Sequence, residues 1–185
     1  MANPAIIIVC TVIIKIFCFA NDTIVKILEN GKEIIKKMSD VKINDMVLVH
    51  NGNEKKFAKV LRNDKIEGEH EFYIIKIRDI NNHNKIKELK VTGEHVMITY
   101  ENKNIEEIKL ILAKNLEGNE YMETEDGLYE IYDIKKEIRK EKYFLVVKGG
   151  VVYANEIFVS TICSEDKAKV MKPSMEEWNK FQKEE

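Results

Sequence analysis

From residue 23 onward the chain consists of short stretches in which apolar and polar residues alternate, separated by clusters of turn-forming residues. The stretch from Phe72 to Ile80 has the two-residue period of a half-buried β-strand. Asn30-Gly31 lies between Ile27 and Ile34, and this dipeptide is typical of a two-residue hairpin. Further turns are predicted at Asn51-Gly52-Asn53, Glu67-Gly68, Asn81 to Asn84, Asp126-Gly127 and Lys148-Gly149-Gly150. The pattern predicts an all-β fold with many short strands.

The end of the chain changes in character. Residues 142–147 and 151–159 are predicted to form a closing pair of strands around Gly149-Gly150. Residues 164–185 are charged, and the sequence that begins at Ser174 is typical of a capped helix. We therefore expect a short, helical C-terminal tail attached to the β-domain.

One pattern occurs twice along the chain. Residues 24–31 form a strand followed by a turn, and further apolar positions follow up to Asn44-Asp45. Residues 96–103, followed by positions up to Gly118-Asn119, have the same order of strand, turn, short helical turn and strand. The alternative is a chance similarity between two amphipathic strands. A separation of about seventy residues favours duplication within one domain over a solenoid, whose repeats are usually nearer 20 to 50 residues.

The amino-terminal segment, residues 1–17, has two interpretations. Residues 5–17 are apolar apart from Thr11 and Lys15, and such a run has the size of a signal-peptide core but is short for a membrane span. Ala20 offers a cleavage site, although no basic residue precedes the apolar run and cleavage there would remove Cys18. The alternative is a β-strand or the end of an upstream segment. Localisation stays open between the secretory pathway and the cytoplasm, and a membrane is expected to be involved only through this segment.

Composition narrows the classes of function. The chain has 185 residues, and 30 Lys and Arg against 32 Asp and Glu give a net charge of -2 with mixed signs, so we expect no nucleic-acid partner. Its three cysteines, Cys10, Cys18 and Cys163, are an odd number without Cys-x-x-Cys spacing, which favours a thiol over a disulfide framework or a zinc site. No metal or organic cofactor is predicted. Cys10 is expected to be inert, and Cys163 to be structural or a second thiol.

Cys18 is the candidate nucleophile. It precedes a short polar turn and an alternating strand, so its thiol can reach the carbonyl of Phe17 and convert the peptide bond into a thioester. The alternative is that a cysteine between two phenylalanines is a small buried hydrophobic residue. The reaction would need a proton donor for the departing amide and a polar group at the peptide or its oxyanion.

Thr92 and His95 could supply those groups. A loop that leads into a strand holds side chains on a rigid frame, and an imidazole with an ordinary pKa near 6.5 can exchange protons near neutral pH. A lone histidine at a strand edge is more often structural. His50, His70 and His83 lie in polar, turn-like sequence and are expected to be solvated.

Four sequence blocks, in order and spacing, resemble the Hint domain superfamily, which includes inteins, the Hedgehog autoprocessing domain and bacterial intein-like domains. The blocks are Cys18 to Val25, Met38 to Val47, Leu89 to His95 and Val151 to Thr161. The resemblance spans residues 18–163 and implies a pseudo-twofold β-horseshoe. Residues 1–17 then form the upstream flank and residues 164–185 the tail.

The resemblance also implies self-processing. Cys18 matches the nucleophile of an N-to-S acyl shift, and Thr92 and His95 match the polar pair that activates the scissile bond. Asp64 is the nearest match to an aspartate that helps to activate a second nucleophile in the Hedgehog branch, but it aligns only with a shift. The implied enzyme is a single-turnover, autocatalytic one, expected to be a monomer, whose substrate is its own N-terminal flanking peptide.

Three departures modify this expectation. Ser160-Thr161-Ile162 stands where inteins have His-Asn followed by Cys, Ser or Thr, so we expect cleavage of the thioester by water, a thiol or another nucleophile without full splicing. Phe17 replaces a glycine of the Hedgehog branch, and the part after Cys163 is too short for sterol recognition. One alternative is a secreted or membrane-associated binding module that has lost catalysis. Another is a cysteine hydrolase acting on other proteins, which lacks support from a nucleophile-elbow motif.

Overall fold

The computed structural model describes residues 18–51, 54–105 and 107–161, and among them it contains eleven β-strands and two short 3-10 helices but no α-helix. The strands are β1 (Ile24–Glu29), β2 (Lys32–Lys37), β3 (Met46–Asn51), β4 (Glu54–Asp79), β5 (Ile86–Thr92), β6 (Val96–Tyr100), β7 (Ile108–Leu112), β8 (Tyr121–Thr124), β9 (Gly127–Val147), β10 (Val151–Ala154) and β11 (Ile157–Ser160). The all-β prediction is confirmed. The apolar segment 1–17, Cys163 and the predicted tail helix lie outside the described residues. The described part contains no helix that is long and apolar enough to cross a membrane.

The predicted duplication is visible in the order of the elements. β1 and β2 form a hairpin, the 3-10 helix Met38–Asp40 follows, and β3 returns to pair with β1. In the second half β6 and β7 form a hairpin, the 3-10 helix Ala113–Asn115 follows, and β8 returns to pair with β6. Asn30 and Gly31 have φ of 51° and 76°, which suits the two-residue hairpin predicted there. The pseudo-twofold β-horseshoe is confirmed.

The two halves are joined by their longest strands. β4 has 26 residues and β9 has 21, and they run antiparallel with register shifts that include one between Glu67 and His70. Gly68 lies within this shift at φ 126°, a conformation that side-chain-bearing residues rarely adopt. The predicted turn at Glu67-Gly68 is therefore wrong, because the glycine forms a β-bulge that bends the strand without ending it.

The predicted pairing of residues 142–147 with 151–159 is also wrong. β10 pairs with β11, and β9 pairs with β4 and β8. The chain turns at Asn155 and Glu156, which have φ of 50° and 64° without a glycine to indicate it. The Asn155 side chain accepts a hydrogen bond from the Ile24 N–H at 2.7 Å and donates one to the Glu88 carbonyl at 2.7 Å. This residue therefore ties the β10–β11 turn to β1 and β5.

Phe19 closes the horseshoe. It forms bridges with Val91 of β5 and Tyr143 of β9, and so lies between two arms of the sheet. Buried apolar side chains from both halves form one core cluster that includes Phe19. Burial of this much apolar surface is the main force that holds the two halves together. The closure places Cys18 against the end of β5.

Candidate functional site

The segment that carries Cys18 is buried and fixed on both sides. Cys18, Phe19 and Ala20 expose at most 1% of their surface. Phe19 donates its N–H to the Tyr143 carbonyl at 2.9 Å and accepts the Tyr143 N–H at 2.9 Å. The N–H of Ala20 donates to the Lys90 carbonyl at 3.2 Å. The backbone around the candidate nucleophile thus completes hydrogen bonds of β5 and β9.

Thr92, the last residue of β5, lies directly beside Cys18. Its N–H donates to the Cys18 carbonyl at 3.0 Å, and its Oγ1 accepts the Cys18 N–H at 3.1 Å. The nitrogen in the second contact belongs to the peptide bond between residues 17 and 18. The Thr92 hydroxyl therefore touches the nitrogen that would depart in an acyl shift.

The loop from Thr92 to His95 is short and tightly packed. The His95 N–H donates to the Thr92 carbonyl at 3.0 Å, and the Lys114 N–H donates to the Gly93 carbonyl at 3.0 Å. A Cβ at Gly93 would lie 2.9 Å from the Tyr73 ring and 3.2 Å from Lys114 Cβ. Glycine is therefore required for this close approach, which presents His95 to the core.

His95 is buried beside the Cys18 segment. Its ring packs edge-on against the Phe19 ring, with the ring centroids 4.6 Å apart. Its Nε2 lies 3.0 Å from the Ser160 carbonyl oxygen at the end of β11. Burial lowers the pKa of His95 to about 4, because desolvation of the charged ring outweighs the hydrogen bond to Ser160, which raises the pKa.

The contact with Ser160 defines the tautomer of His95. With a pKa of about 4 the ring is neutral at pH 7 and carries one proton. A carbonyl oxygen can only accept a hydrogen bond, so the proton lies on Nε2. Nδ1 then carries the lone pair, and in this state it is the basic nitrogen.

A charged cluster anchors the turn that follows the nucleophile. Arg139 of β9 donates to Asp22 Oδ1 at 2.8 Å and to Asn21 Oδ1 at 3.0 Å, and Lys90 of β5 donates to Asp22 Oδ2 at 3.1 Å. Burial raises the pKa of Asp22, but the hydrogen bonds from Arg139 and Lys90 outweigh it, so the pKa lies below its ordinary value. The carboxylate is ionised at neutral pH and holds the turn against both strands.

Asp64, the fourth residue predicted from the sequence, does not join the other three. It lies on β4, its side chain is 40% exposed, and its carboxylate pairs with Arg62. β9 lies between β4 and the Cys18 segment, because Tyr143 of β9 pairs with β4 on one side and with Phe19 on the other. Two strand spacings amount to about 10 Å between backbones. A catalytic role for Asp64 therefore gains no geometric support.

His83 and His70 differ in how far their side chains are exposed to solvent. The His83 side chain is 62% exposed, as predicted. His70 lies within β4, and its Nε2 is buried without a hydrogen-bond partner among the described residues. Burial is the main cause that lowers its pKa. The prediction of a solvated turn is therefore wrong for His70, because the bulge keeps it inside a strand.

Ser160 is the residue of this site that the sequence did not reveal as a participant. It contacts His95 through a backbone carbonyl, which every residue type possesses, so its identity gave no signal. Its hydroxyl is also buried and donates to the Val96 carbonyl at 2.7 Å. Within the described ranges, no group of three or more His, Cys, Asp or Glu side chains is arranged to hold a metal ion.

Solved structures with the same architecture include inteins and an intein-like domain. A DnaB intein from Synechocystis is 20% identical, with a TM-score of 0.59, over 78% of this chain and 97% of that chain. A bacterial intein-like domain from Clostridium thermocellum is 18% identical, with a TM-score of 0.57, over 77% and 97%. The transcription factor IIB Mvu mini-intein is 15% identical, with a TM-score of 0.61, over 78% and 99%.

The chain matches no protein-family model and no curated protein. At these levels of identity the likeness defines the fold. The chain therefore has the Hint fold, as the four sequence blocks predicted.

Proposed function

We propose that the chain is a self-processing domain that cleaves the peptide bond between Phe17 and Cys18. The intein and intein-like neighbours suggest a capacity for self-processing. The observation that carries the proposal is the contact between the Cys18 N–H and Thr92 Oγ1 at 3.1 Å, beside the buried ring of His95. It holds the candidate leaving nitrogen at the polar pair that was predicted to activate it.

The first step is a proton transfer coupled to nucleophilic attack. Nδ1 of His95 takes the Cys18 thiol proton, and sulfur attacks the Phe17 carbonyl carbon. An ordinary thiol has a pKa near 8.5, so proton transfer to an imidazole with a pKa of about 4 is uphill by roughly 6 kcal/mol. This is only part of the barrier of roughly 20 kcal/mol or more that corresponds to a slow, single-turnover reaction.

The second step breaks the carbon–nitrogen bond. The imidazolium returns the proton to the Cys18 nitrogen, which leaves as an amine, and the acyl group stays on sulfur as a thioester. Thr92 holds this nitrogen throughout and so orients it toward the proton donor. Water, a thiol or another nucleophile then attacks the thioester and releases the segment that ends at Phe17.

Two features favour cleavage over full splicing and over attack on other proteins. Ser160 and Thr161 stand at the end of β11, and neither side chain can cyclise as an asparagine can. Cys18 exposes 0% of its surface, so its sulfur is not accessible to an external polypeptide. The complete burial also favours the second candidate function, a binding module that retains the fold without catalysis.

Intact-mass analysis of the purified chain, with and without hydroxylamine, tests the proposal. Hydroxylamine traps a thioester as a hydroxamate, so we expect the parent to release residues 1–17 in that form. Cys18→Ala should stay intact under the same conditions. Identical spectra for the parent and Cys18→Ala, both at full mass, would favour the binding module.

A comparison of histidine variants tests the assignment of the base. His95→Ala should slow cleavage in dithiothreitol far more than His83→Ala, since His83 is solvent-exposed. Equal rates for the two variants would remove His95 from the mechanism.

A further inference from the structure

Ser160 contacts the loop that carries His95 at two neighbouring points. Its hydroxyl donates to the Val96 carbonyl at 2.7 Å, and its carbonyl accepts the His95 Nε2–H at 3.0 Å. Ser160 exposes 1% of its surface and His95 also 1%, so water does not compete for either contact. One residue of β11 thus fixes both the start of β6 and the imidazole that precedes it.

The Ser160 carbonyl is held in place by the contacts that follow it. The Thr161 N–H donates to the Gly150 carbonyl at 2.7 Å, and Thr161 Oγ1 accepts the Val147 N–H at 3.3 Å. Ser160 itself pairs with Val151 of β10. The carbonyl is therefore a rigid acceptor.

We propose that Ser160 is a positioning residue that fixes His95 as its Nε2–H tautomer and thereby keeps Nδ1 as the base for the Cys18 thiol. Its carbonyl accepts the Nε2–H, and its hydroxyl holds the start of β6, and with it the ring, against that carbonyl. The inference rests on the proposed self-cleavage. Nδ1 and Nε2 of a neutral imidazole can each carry the proton, and the hydrogen bond made by one nitrogen decides which does. A net hydrogen bond changes such an equilibrium about 2- to 10-fold. The opposite tautomer would place an N–H where the reaction needs a lone pair.

The arrangement also sets the order of events. Ser160 lies 65 residues after His95, on the last described strand, and Thr92 lies 74 residues after Cys18. The imidazole is therefore held in this form and position only when β11 has docked beside β6. Cleavage at Cys18, at the start of the domain, therefore depends on the docking of β11, the last described strand.

Nitrogen NMR of the imidazole ring in a chain that cannot cleave tests the tautomer. We expect full-length Cys18→Ala to show His95 as the Nε2–H form, and Cys18→Ala with Ser160→Ala to show a fraction of the Nδ1–H form. The matched control is Thr99→Val, since the Thr99 side chain is equally buried and its hydroxyl donates to the Lys109 carbonyl of β7 at 3.0 Å. It should leave the His95 signals unchanged.

Single-turnover cleavage in dithiothreitol tests the consequence. With Cys18 present, Ser160→Ala should slow cleavage about 3- to 10-fold, because it loses a net hydrogen bond that holds the ring in position, in addition to the shift in tautomer. Ser160→Thr should restore most of the rate because it keeps the hydroxyl, and Thr99→Val should stay within about twofold of the parent. A fully retained Nε2–H tautomer in Ser160→Ala would overturn the proposal, as would a shifted tautomer without a loss of rate in an active chain. If the parent itself does not cleave, the proposed function fails, while the NMR result still decides the role of Ser160 in tautomer selection.

Discussion

At the scale of single residues, the candidate site joins three side chains with different tasks. Cys18 offers sulfur, Thr92 offers an oxygen that accepts the Cys18 N–H, and His95 offers a nitrogen whose basicity is reduced by burial. All three are buried, so each polar contact is stronger than it would be in water and each lost contact leaves an unpaired group. Substitutions that remove one polar group but keep the shape of the side chain can therefore distinguish a catalytic role of that group from its role in packing.

Thr92→Val replaces the hydroxyl with a methyl group of similar size. We expect cleavage to slow about 100-fold, since loss of one positioned polar contact in an active site costs about 3 kcal/mol of barrier. The Cys18 N–H would also lose its acceptor, at a cost of about 1–3 kcal/mol in the free energy of unfolding. Single-turnover mass spectrometry measures the rate and chemical denaturation the stability. Thr99→Val should show a similar loss of stability at nearly unchanged rate, and equal rate losses in the two variants would contradict a specific role.

The pKa of His95 makes stability depend on pH. Unfolding restores the ordinary pKa near 6.5, whereas the folded value is about 4, so between these values the unfolded state binds more protons. The contribution of His95 to the free energy of unfolding is fully present above pH 6.5 and is lost as the pH falls to 4. The total loss is on the order of 3 kcal/mol. Denaturation of Cys18→Ala should show this loss, and Cys18→Ala with His95→Gln should show a shallower dependence. Parallel curves would mean that His95 titrates normally in the folded chain.

At the scale of elements, the loop between β5 and β6 determines where His95 lies. Its backbone hydrogen bonds to the second 3-10 helix fix it from one side, and the Tyr73 ring limits it from the other. The loop has no room for a side chain at Gly93.

Gly93→Ala should therefore displace this loop. The added Cβ would lie 2.9 Å from the Tyr73 ring, and overpacking of this kind costs typically 1–3 kcal/mol. We expect both a lower midpoint of thermal unfolding and cleavage slowed at least tenfold. Tyr73→Leu in the same chain removes the nearest clash, so the double variant should recover part of the rate, whereas Tyr73→Leu alone measures the loss of the ring. Without any recovery in the double variant, the Tyr73 contact is not the cause.

Short-range sequence patterns correctly predicted the strands whose connecting turns contain characteristic turn-forming residues. Asn30-Gly31 identified the β1–β2 hairpin because both residues favour positive φ. The Asn155-Glu156 turn was missed because no glycine marks it in the sequence. The positive φ of Glu156, 64°, is stabilised by hydrogen bonds of the Asn155 side chain to β1 and β5, which are distant in sequence. Glu67-Gly68 was misassigned as a turn because a glycine in a bulge and a glycine in a turn look alike in sequence.

The sequence identified the members of the candidate site whose side chains have distinctive chemistry, and it missed the one that acts through a backbone atom. Cys18, Thr92 and His95 carry distinctive chemistry in matching blocks, and the structure places them together. Asp64 was predicted from a shifted match to an aspartate of the Hedgehog branch, and β9 lies between it and the Cys18 segment. Ser160 participates through its carbonyl, which only the packing of β11 could disclose.

At the scale of the whole molecule, the site forms where distant parts of the chain meet. Cys18 precedes the first repeated unit, Thr92 and His95 lie between the two units, and Ser160 ends β11, after the second unit. Contacts of such long sequence separation form late and slowly in folding, because large loops must close first. Neither half of the described chain contains all of these residues.

A chain divided in the β4–β5 turn should therefore be inactive in each part and active when the parts are mixed. Residues 81–85 of this turn are exposed, and such turns are the sites where interruptions are best tolerated. The first fragment would carry Cys18 and β4, and the second Thr92, His95 and β9, with the β4–β9 and β4–β5 pairings available to join them. We expect cleavage of the first fragment only after the second is added, at a rate that saturates with its concentration. A second fragment with His95→Ala should bind without restoring cleavage, whereas cleavage by the first fragment alone would show that Cys18 needs neither the loop nor the opposite half.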